Sequence, residues 1–447
     1  MAKAPEIKVE PPGPEAKRIV EQDTKYLATS TKTSPLVVRR AEGAVVWDVD
    51  GNTFLDFASG VAVMNLGHSH PAVVKAIVEQ AQRFTHFAGT DYYYDVLAGL
   101  AERLCSLAAP IQGEKRVFFS NSGTECVEAA MKLARWSTQR KQYLSFIGGF
   151  HGRTLGSLSL TASKRVQQER YFPSMPGVTR IPYGYCYRCP YHLEYPSCGI
   201  WCARALEELH FDTYLPPEEV AALFMEPVQG EGGYIVPPNE FVRTMHATCR
   251  KHGILFVDDE VQAGMGRTGR LWAIEHFGVD PDVICTAKAL GSGIPIGATI
   301  FRKELDWGKR GAHSNTYGGN AVACASALAT LDAIEREDLV REAESKGRHL
   351  RKRLEEMKER FEIIGDVRGL GMMQATEFVK DRTTKEPACQ ERDRIEELCF
   401  RRGLVAIGCG RSGIRYIPPL TITMEQLDAG LDVLEGAIRD VDAEPRG

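Results

Sequence analysis

From about residue 71 onward, short continuous apolar runs alternate with stretches whose apolar residues recur at three- and four-residue spacing. The spacing predicts helices over residues 71–84, 94–107 and 121–136, and strands at 115–120, 143–147, 221–225, 254–257 and 283–286. Strands that are apolar along their whole length, separated by helices, belong to a mainly parallel sheet covered by helices on both faces, an α/β arrangement. Ahead of this region, residues 45–56 place two alternating apolar runs around Asp50-Gly51-Asn52, a hairpin signal. Residues 1–20 read as a loose, proline-rich polar arm. After residue 337 the pattern changes to a highly charged helix over 338–360, short strands near 361–368 and 371–378, a further helix and a strand at 414–417. The expected organisation is an N-terminal arm and hairpin (1–70) that joins a smaller α+β domain (338–447), with the large domain at 71–337.

Composition narrows the class without naming it. The chain has 447 residues, 55 Lys+Arg against 59 Asp+Glu, a net charge of −4 and 43% hydrophobic residues. These values exclude disorder and a strongly basic nucleic-acid binder. A chain of this length exceeds one simple core, in keeping with two lobes or more. No window supplies the ~18–20 uncharged apolar residues of a membrane helix, and the start carries no apolar signal core, so a cytoplasmic protein with no membrane partner is expected.

Three features carry candidate chemistry. Ser120-Asn121-Ser122-Gly123-Thr124-Glu125 sets small hydroxylated residues between a strand and a helix, where unpaired N–H groups can cradle a phosphate; an ordinary Ser/Thr cap has the same appearance. Asp258-Asp259-Glu260 follows directly on a buried strand, where open α/β sheets bind ligands and where uncompensated acids are costly. Lys288 follows the strand at 283–285, ahead of a glycine-rich turn, and a partly desolvated amine there can act as a nucleophile or Schiff-base former. An anion cradle, an acid and an amine at one sheet edge together suit pyridoxal 5′-phosphate.

The chain also resembles the class III (subgroup II) aminotransferases of fold type I, from about residue 35 to 434. The blocks that carry the resemblance are Asn65-Leu66-Gly67-His68-Ser69-His70-Pro71, Ser122-Gly123-Thr124-Glu125, Phe150-His151-Gly152-Arg153-Thr154, Glu226-Pro227-Val228-Gln229-Gly230-Glu231-Gly232-Gly233, Asp259-Glu260-Val261-Gln262, Lys288 and Thr316-Tyr317-Gly318-Gly319-Asn320. The resemblance implies that Lys288 forms the Schiff base and moves the substrate proton, and that Asp259 rather than Asp258 partners the ring nitrogen. It implies that Gln262 bonds the ring hydroxyl, that Val261 and Phe150 flank the ring, and that Ser122, Gly123 and Thr124 belong to the phosphate loop. Thr316 is similar to a threonine that reaches the phosphate of a neighbouring subunit, which implies a homodimer with shared sites.

For substrates, Arg153 resembles an arginine that takes a distal carboxylate, and Arg415 one that takes the α-carboxylate of 2-oxoglutarate or glutamate; a guanidinium fork suits both. Glu231 is similar to the acid that pairs with that second arginine when the incoming amine lacks an α-carboxylate. Val61 stands where ornithine aminotransferases carry tyrosine and 4-aminobutyrate aminotransferases an aliphatic residue. The expectation is an ω-aminotransferase using 4-aminobutyrate or a similar donor and 2-oxoglutarate, with ornithine or acetylornithine transamination and amino-acid racemisation as alternatives.

Twelve cysteines divide unevenly. Eight (105, 126, 249, 285, 324, 389, 399 and 409) sit among apolar neighbours and read as buried packing thiols. Cys186, Cys189, Cys198 and Cys202, within an insertion at 183–204, have the spacing Cys-x2-Cys-x8-Cys-x3-Cys. Four thiolates could hold a structural zinc; disulfides or simple packing are the other readings.

Overall fold

The computed structural model describes residues 4–444. Its central feature is a seven-stranded sheet built from β1 (Lys115–Ser120), β2 (Gln142–Phe146), β3 (Val178–Ile181), β4 (Val220–Met225), β5 (Leu255–Asp259), β6 (Val283–Thr286) and β7 (Gly297–Arg302). The spatial order is β1-β7-β6-β5-β4-β2-β3. Only β7 runs antiparallel to its neighbours, and the β2–β3, β2–β4, β4–β5 and β5–β6 pairs are parallel. β4 has no polar side chain and is buried at every position, which is the pattern of a strand covered on both faces. The helix Gly123–Thr138 lays Cys126, Val127, Ala130, Met131, Leu133 and Ala134 against Tyr143, Phe224, Val257 and Cys285 of the sheet.

The chain forms two compact units, Ala72–Val340, which holds this sheet, and Met1–Pro71 together with Arg341–Gly447. The second unit has two four-stranded sheets. One orders the strands Ile364–Leu370, Met373–Phe378, Gly413–Tyr416 and Ile407–Cys409 in an antiparallel array. The other runs Val38–Glu42, Val45–Asp48, Thr53–Asp56 and Leu404–Val405, so the hairpin near the start of the chain pairs with a strand some 350 residues later through a parallel contact. Among the described residues no helix is long and apolar enough to cross a membrane.

Several local expectations change. The supposed loose arm contains the helix Pro14–Tyr26. Asp50, from the hairpin turn, accepts hydrogen bonds from Glu15 N and Ala16 N at 2.9 Å, so a distant carboxylate supplies the cap that the local sequence lacks. The charged helix Leu339–Arg360 is more than a solvated face: Arg353 reaches Asp428 and Asp432 at 3.0 and 2.9 Å, and Arg360 reaches Glu435 at 2.6 Å, all on the helix Met424–Asp442. Of the eight cysteines expected in the core, Cys389 is exposed, because it opens the helix Cys389–Arg401, and Cys105 is half-buried; the other six are buried.

In the second unit, a Cβ built on Gly347 would lie 2.3 Å from the carbonyl carbon and oxygen of Gly371, a backbone contact that cannot rotate away. Gly347→Ala is expected to destabilise the fold by about 1–3 kcal/mol through overpacking, visible as a lower urea midpoint and a lower Tm than the wild type.

Candidate active site

Five parallel strands end along one edge of the large sheet, and each delivers a chemical group there. β1 leads into Ser122-Gly123-Thr124, β2 into the turn 148–153, β4 into Glu226, β5 ends on Asp259, and β6 leads to Lys288. Ser122, Gly123, Thr124, Phe150, His151, Gly152, Arg153, Glu226, Asp259, Val261, Gln262 and Lys288 line a cavity of about 230 Å³. The carboxyl edge of an open α/β sheet is where such folds bind ligands. Alternation along β5 settles the choice between the adjacent acids: Asp259 faces the cavity, whereas Asp258 is buried beside Glu260. Burial and the charge of Glu260 hold the Asp258 carboxyl well above the usual carboxylate range.

The anion end of the cavity is the start of the helix Gly123–Thr138, with Ser122 as its N-cap. Ser122 therefore caps the helix and also lines the cavity. Gly123 is required by packing, since a Cβ there would lie 2.7 Å from Val261 Cγ1. The Thr124 hydroxyl sits within a hydroxyl cluster, 2.6 Å from Ser157 Oγ and 2.9 Å from Thr154 Oγ1. Backbone N–H groups of the first helical turn thus remain as the natural anion donors.

At the other end, His151 Nδ1 lies 2.7 Å from Asp259 Oδ2, with both side chains buried. Val261 N donates to the other Asp259 oxygen at 3.1 Å. Burial alone would depress the imidazole, but the hydrogen bond and charge of Asp259, helped by Glu226, outweigh it and raise His151 above 6.5. Glu226 accepts from Phe150 N and Gly230 N at 2.8 and 2.9 Å; burial is the main cause of its raised value. His151 and Glu226 were given no role from the sequence. The signals for them are their places in two blocks, His151 in Phe-His-Gly-Arg-Thr and Glu226 at the start of Glu-Pro-Val-Gln.

Lys288 follows β6 with φ of 38°, a left-handed conformation that costs a non-glycine residue energy and is typical of functional positions. The Arg153 guanidinium lies 5.5 Å from the centre of the Phe150 ring, so Phe150 both borders the cavity and supports the arginine. Glu231 lies outside the cavity lining and pairs with Lys164 at 2.6 Å, a partner no sequence block suggested. Thr316 is exposed, in a loop anchored by Asn315 Nδ2 donating to Phe119 O at 2.8 Å. Val61 and Arg415 belong to the second unit; Val61 is exposed with φ of 66°, and Arg415 is buried on the strand Gly413–Tyr416.

The four clustered cysteines, with Tyr183, Tyr191, Tyr195 and Trp201, line a separate cavity of about 20 Å³. Burial, followed by the charges of the other three, pushes the Cys202 thiol up to about 12. Among the described residues no group of three or more His, Cys, Asp or Glu is arranged to hold a metal ion, so a zinc centre gains no support.

A family model for class-III aminotransferases matches residues 26–438. The chain belongs to the class-III aminotransferase family. A leucine/methionine racemase of Thermococcus litoralis is 41% identical, over 95% of this chain and 96% of its own. A probable 4-aminobutyrate aminotransferase of Bacillus subtilis is also 41% identical, over 90% and 92%. Among solved structures, an amine transaminase from an uncultivated Pseudomonas species, in its pyridoxal-phosphate-bound form, aligns with a TM-score of 0.85 at 33% identity, covering 93% of this chain and 98% of that one.

The residues of this class-III aminotransferase fit that cofactor. A helix start whose Gly123 closely approaches Val261 would hold the phosphate. A buried carboxylate clamped by an imidazole would meet the ring nitrogen, and an amine stands at the adjacent strand end.

Because the folded protein holds the His151 proton more tightly than the unfolded chain, that charge contributes stability fully below about 6.5, and the contribution is lost as pH rises through the raised value. The stability gap between wild type and His151→Asn, measured by urea titration of the apoprotein at a series of pH values, is expected to be widest in mild acid and to narrow toward alkaline pH.

Proposed function

We propose that this class-III aminotransferase is a pyridoxal-phosphate-dependent ω-aminotransferase that moves an amino group from 4-aminobutyrate or a similar ω-amino acid to 2-oxoglutarate, giving a semialdehyde and glutamate. The observation that carries the reading is the convergence of Lys288 and the His151-clamped Asp259 on one cavity beside a helix N-terminus. When bound, the cofactor supplies an aldehyde carbon for the amine and a ring that withdraws electrons from the reacting carbon. Asp259, hydrogen-bonded by His151, would hold a proton on the ring nitrogen. Lys288 takes and returns the proton at the carbon bearing the nitrogen, and Gln262 bonds the ring hydroxyl.

Arg153, at the cavity wall, takes a distal carboxylate, and Arg415 takes the α-carboxylate of glutamate or 2-oxoglutarate. Glu231 is similar to the acid that in this family balances the α-carboxylate arginine when the donor has no α-carboxylate, and here it pairs with Lys164 at 2.6 Å. The aliphatic Val61 favours donors without a free α-amino group over ornithine. The assembly we propose is a cytoplasmic homodimer in which the exposed Thr316 completes the partner's phosphate site. Exposed Phe87, Tyr92, Tyr93 and Tyr317 support such an interface.

A second reading, amino-acid racemase, is favoured by specific relatives: the Thermococcus racemase and an alanine/serine racemase of Pyrococcus horikoshii, 40% identical over 98% of this chain and 93% of its own. Racemisation needs the same lysine, carboxylate and cofactor and differs in the face to which the proton returns.

Holoenzyme supplied with 4-aminobutyrate and 2-oxoglutarate is expected to form glutamate, and Lys288→Ala to abolish both this and the visible absorption of the lysine-bound cofactor. Absence of glutamate with every ω-amino acid tried, together with loss of optical activity from a single L-amino acid without keto acid, overturns the transaminase reading in favour of the racemase. Arg415→Ala is expected to raise KM for 2-oxoglutarate about 10- to 100-fold, the equivalent of a lost charge-assisted pair, measured by initial rates at saturating donor.

A further inference from the structure

Tyr234 is a bulky residue held at φ of 56°, with its side chain completely buried. Such a conformation persists only where the surroundings over-determine it, and here they do. Gln229 and Ile235 close the segment through reciprocal backbone hydrogen bonds of 3.1 Å, and Gly233 N and Tyr234 N both donate to Gly230 O. Neither Gly230 nor Gly232 has room for a Cβ, which would meet Gln262 Nε2 and Gly148 O respectively at 2.4 Å. Gly230 N is tied to Glu226, and Gln229 Nε2 donates to Ile147 O at 3.0 Å. This locked loop places the Tyr234 hydroxyl 2.8 Å from Gln262 Oε1, to which it donates.

We propose that Tyr234 is a positioning residue for the cofactor: by occupying the carbonyl oxygen of Gln262 it fixes the amide so that its NH2 group, not its oxygen, faces the cavity. The inference rests on the reading that Gln262 meets the ring hydroxyl of pyridoxal phosphate. An amide can present a donor or an acceptor with almost no change of shape, and the two have opposite consequences for a phenolic oxygen. A donor stabilises the ionised form and lowers its titration, whereas an acceptor stabilises the protonated form. Tyr234 thereby selects the ionised ring hydroxyl without touching the cofactor.

The test is the pH titration of the visible absorption of the holoenzyme, without substrate, for wild type, Tyr234→Phe, Gln262→Ala and the double variant. Tyr234→Phe keeps the ring that fills the pocket and removes the donor. Its absorption midpoint is expected to rise by about one pH unit, as for one hydrogen bond lost from the charged form. In the Gln262→Ala background the same change is expected to add nothing, because the group through which Tyr234 acts is gone. An unchanged midpoint in Tyr234→Phe while Gln262→Ala shifts it overturns the proposal and leaves the reading of Gln262 standing. An equal shift with and without Gln262 also overturns it, since Tyr234 then acts by another route. An unchanged midpoint in Gln262→Ala overturns both. A Tm lowered in Tyr234→Phe with no change in midpoint marks a purely structural role and overturns the proposal as well.

Discussion

The 2.7 Å contact between His151 Nδ1 and Asp259 Oδ2 lies where both side chains are shut away from water. A carboxylate buried without a partner is destabilising by several kcal/mol or gives up its charge. Asp258, one residue earlier on β5, shows the second outcome: it shares its surroundings with Glu260 and is held far above the ordinary carboxylate range. Asp259 differs in its partners: a turn after β2 brings an imidazole to one oxygen and Val261 N closes on the other. Everything proposed for the cofactor ring depends on the hydrogen bonds that fix this one residue at the floor of the cavity.

The rest of the site is arranged by close approach. Gly123 lets the helix start meet Val261, and Gly152, at φ of 136°, leaves space for the Thr124 hydroxyl that a Cβ would approach to 2.3 Å. Lys288 and Tyr234 hold left-handed backbone in the same region, while the central strands β4 and β6 beneath are buried at every position. A rigid apolar floor can hold strained residues at its edge because moving them would disturb packing on both faces of the sheet.

Local pattern was a good guide wherever burial dictated the residue type. The strand at 220–225 was legible because a strand covered on both faces must be apolar, and the helices at 95–107 and 123–138 because one face must be. The strand β7 was missed: Gly297 begins it, and its role is to bridge β1 and β6 in the reverse direction, a tertiary fact without a local mark. The helix at 14–26 was missed for a related reason, since its cap comes from Asp50 across the hairpin. Lys288, Asp259 and the Ser122–Thr124 cradle were visible as costly or unusual residues at strand ends, whereas His151, Glu226, Tyr234 and Lys164 were not, because each acts through a residue distant in the chain.

The sequence by itself determined the α/β class, five of the seven strands of the large sheet, and the lysine, acid and small-residue turn that name the chemistry, because these follow from burial and from residue type. Only the tertiary structure decided which of two adjacent acids faces the cavity, which imidazole pairs with it, and which hydroxyl meets the Gln262 amide oxygen. Those outcomes depend on distances of 2.7–2.8 Å between groups 28 or 108 residues apart, and such distances are set by how the sheet edge is packed, not by any residue's neighbours in the chain.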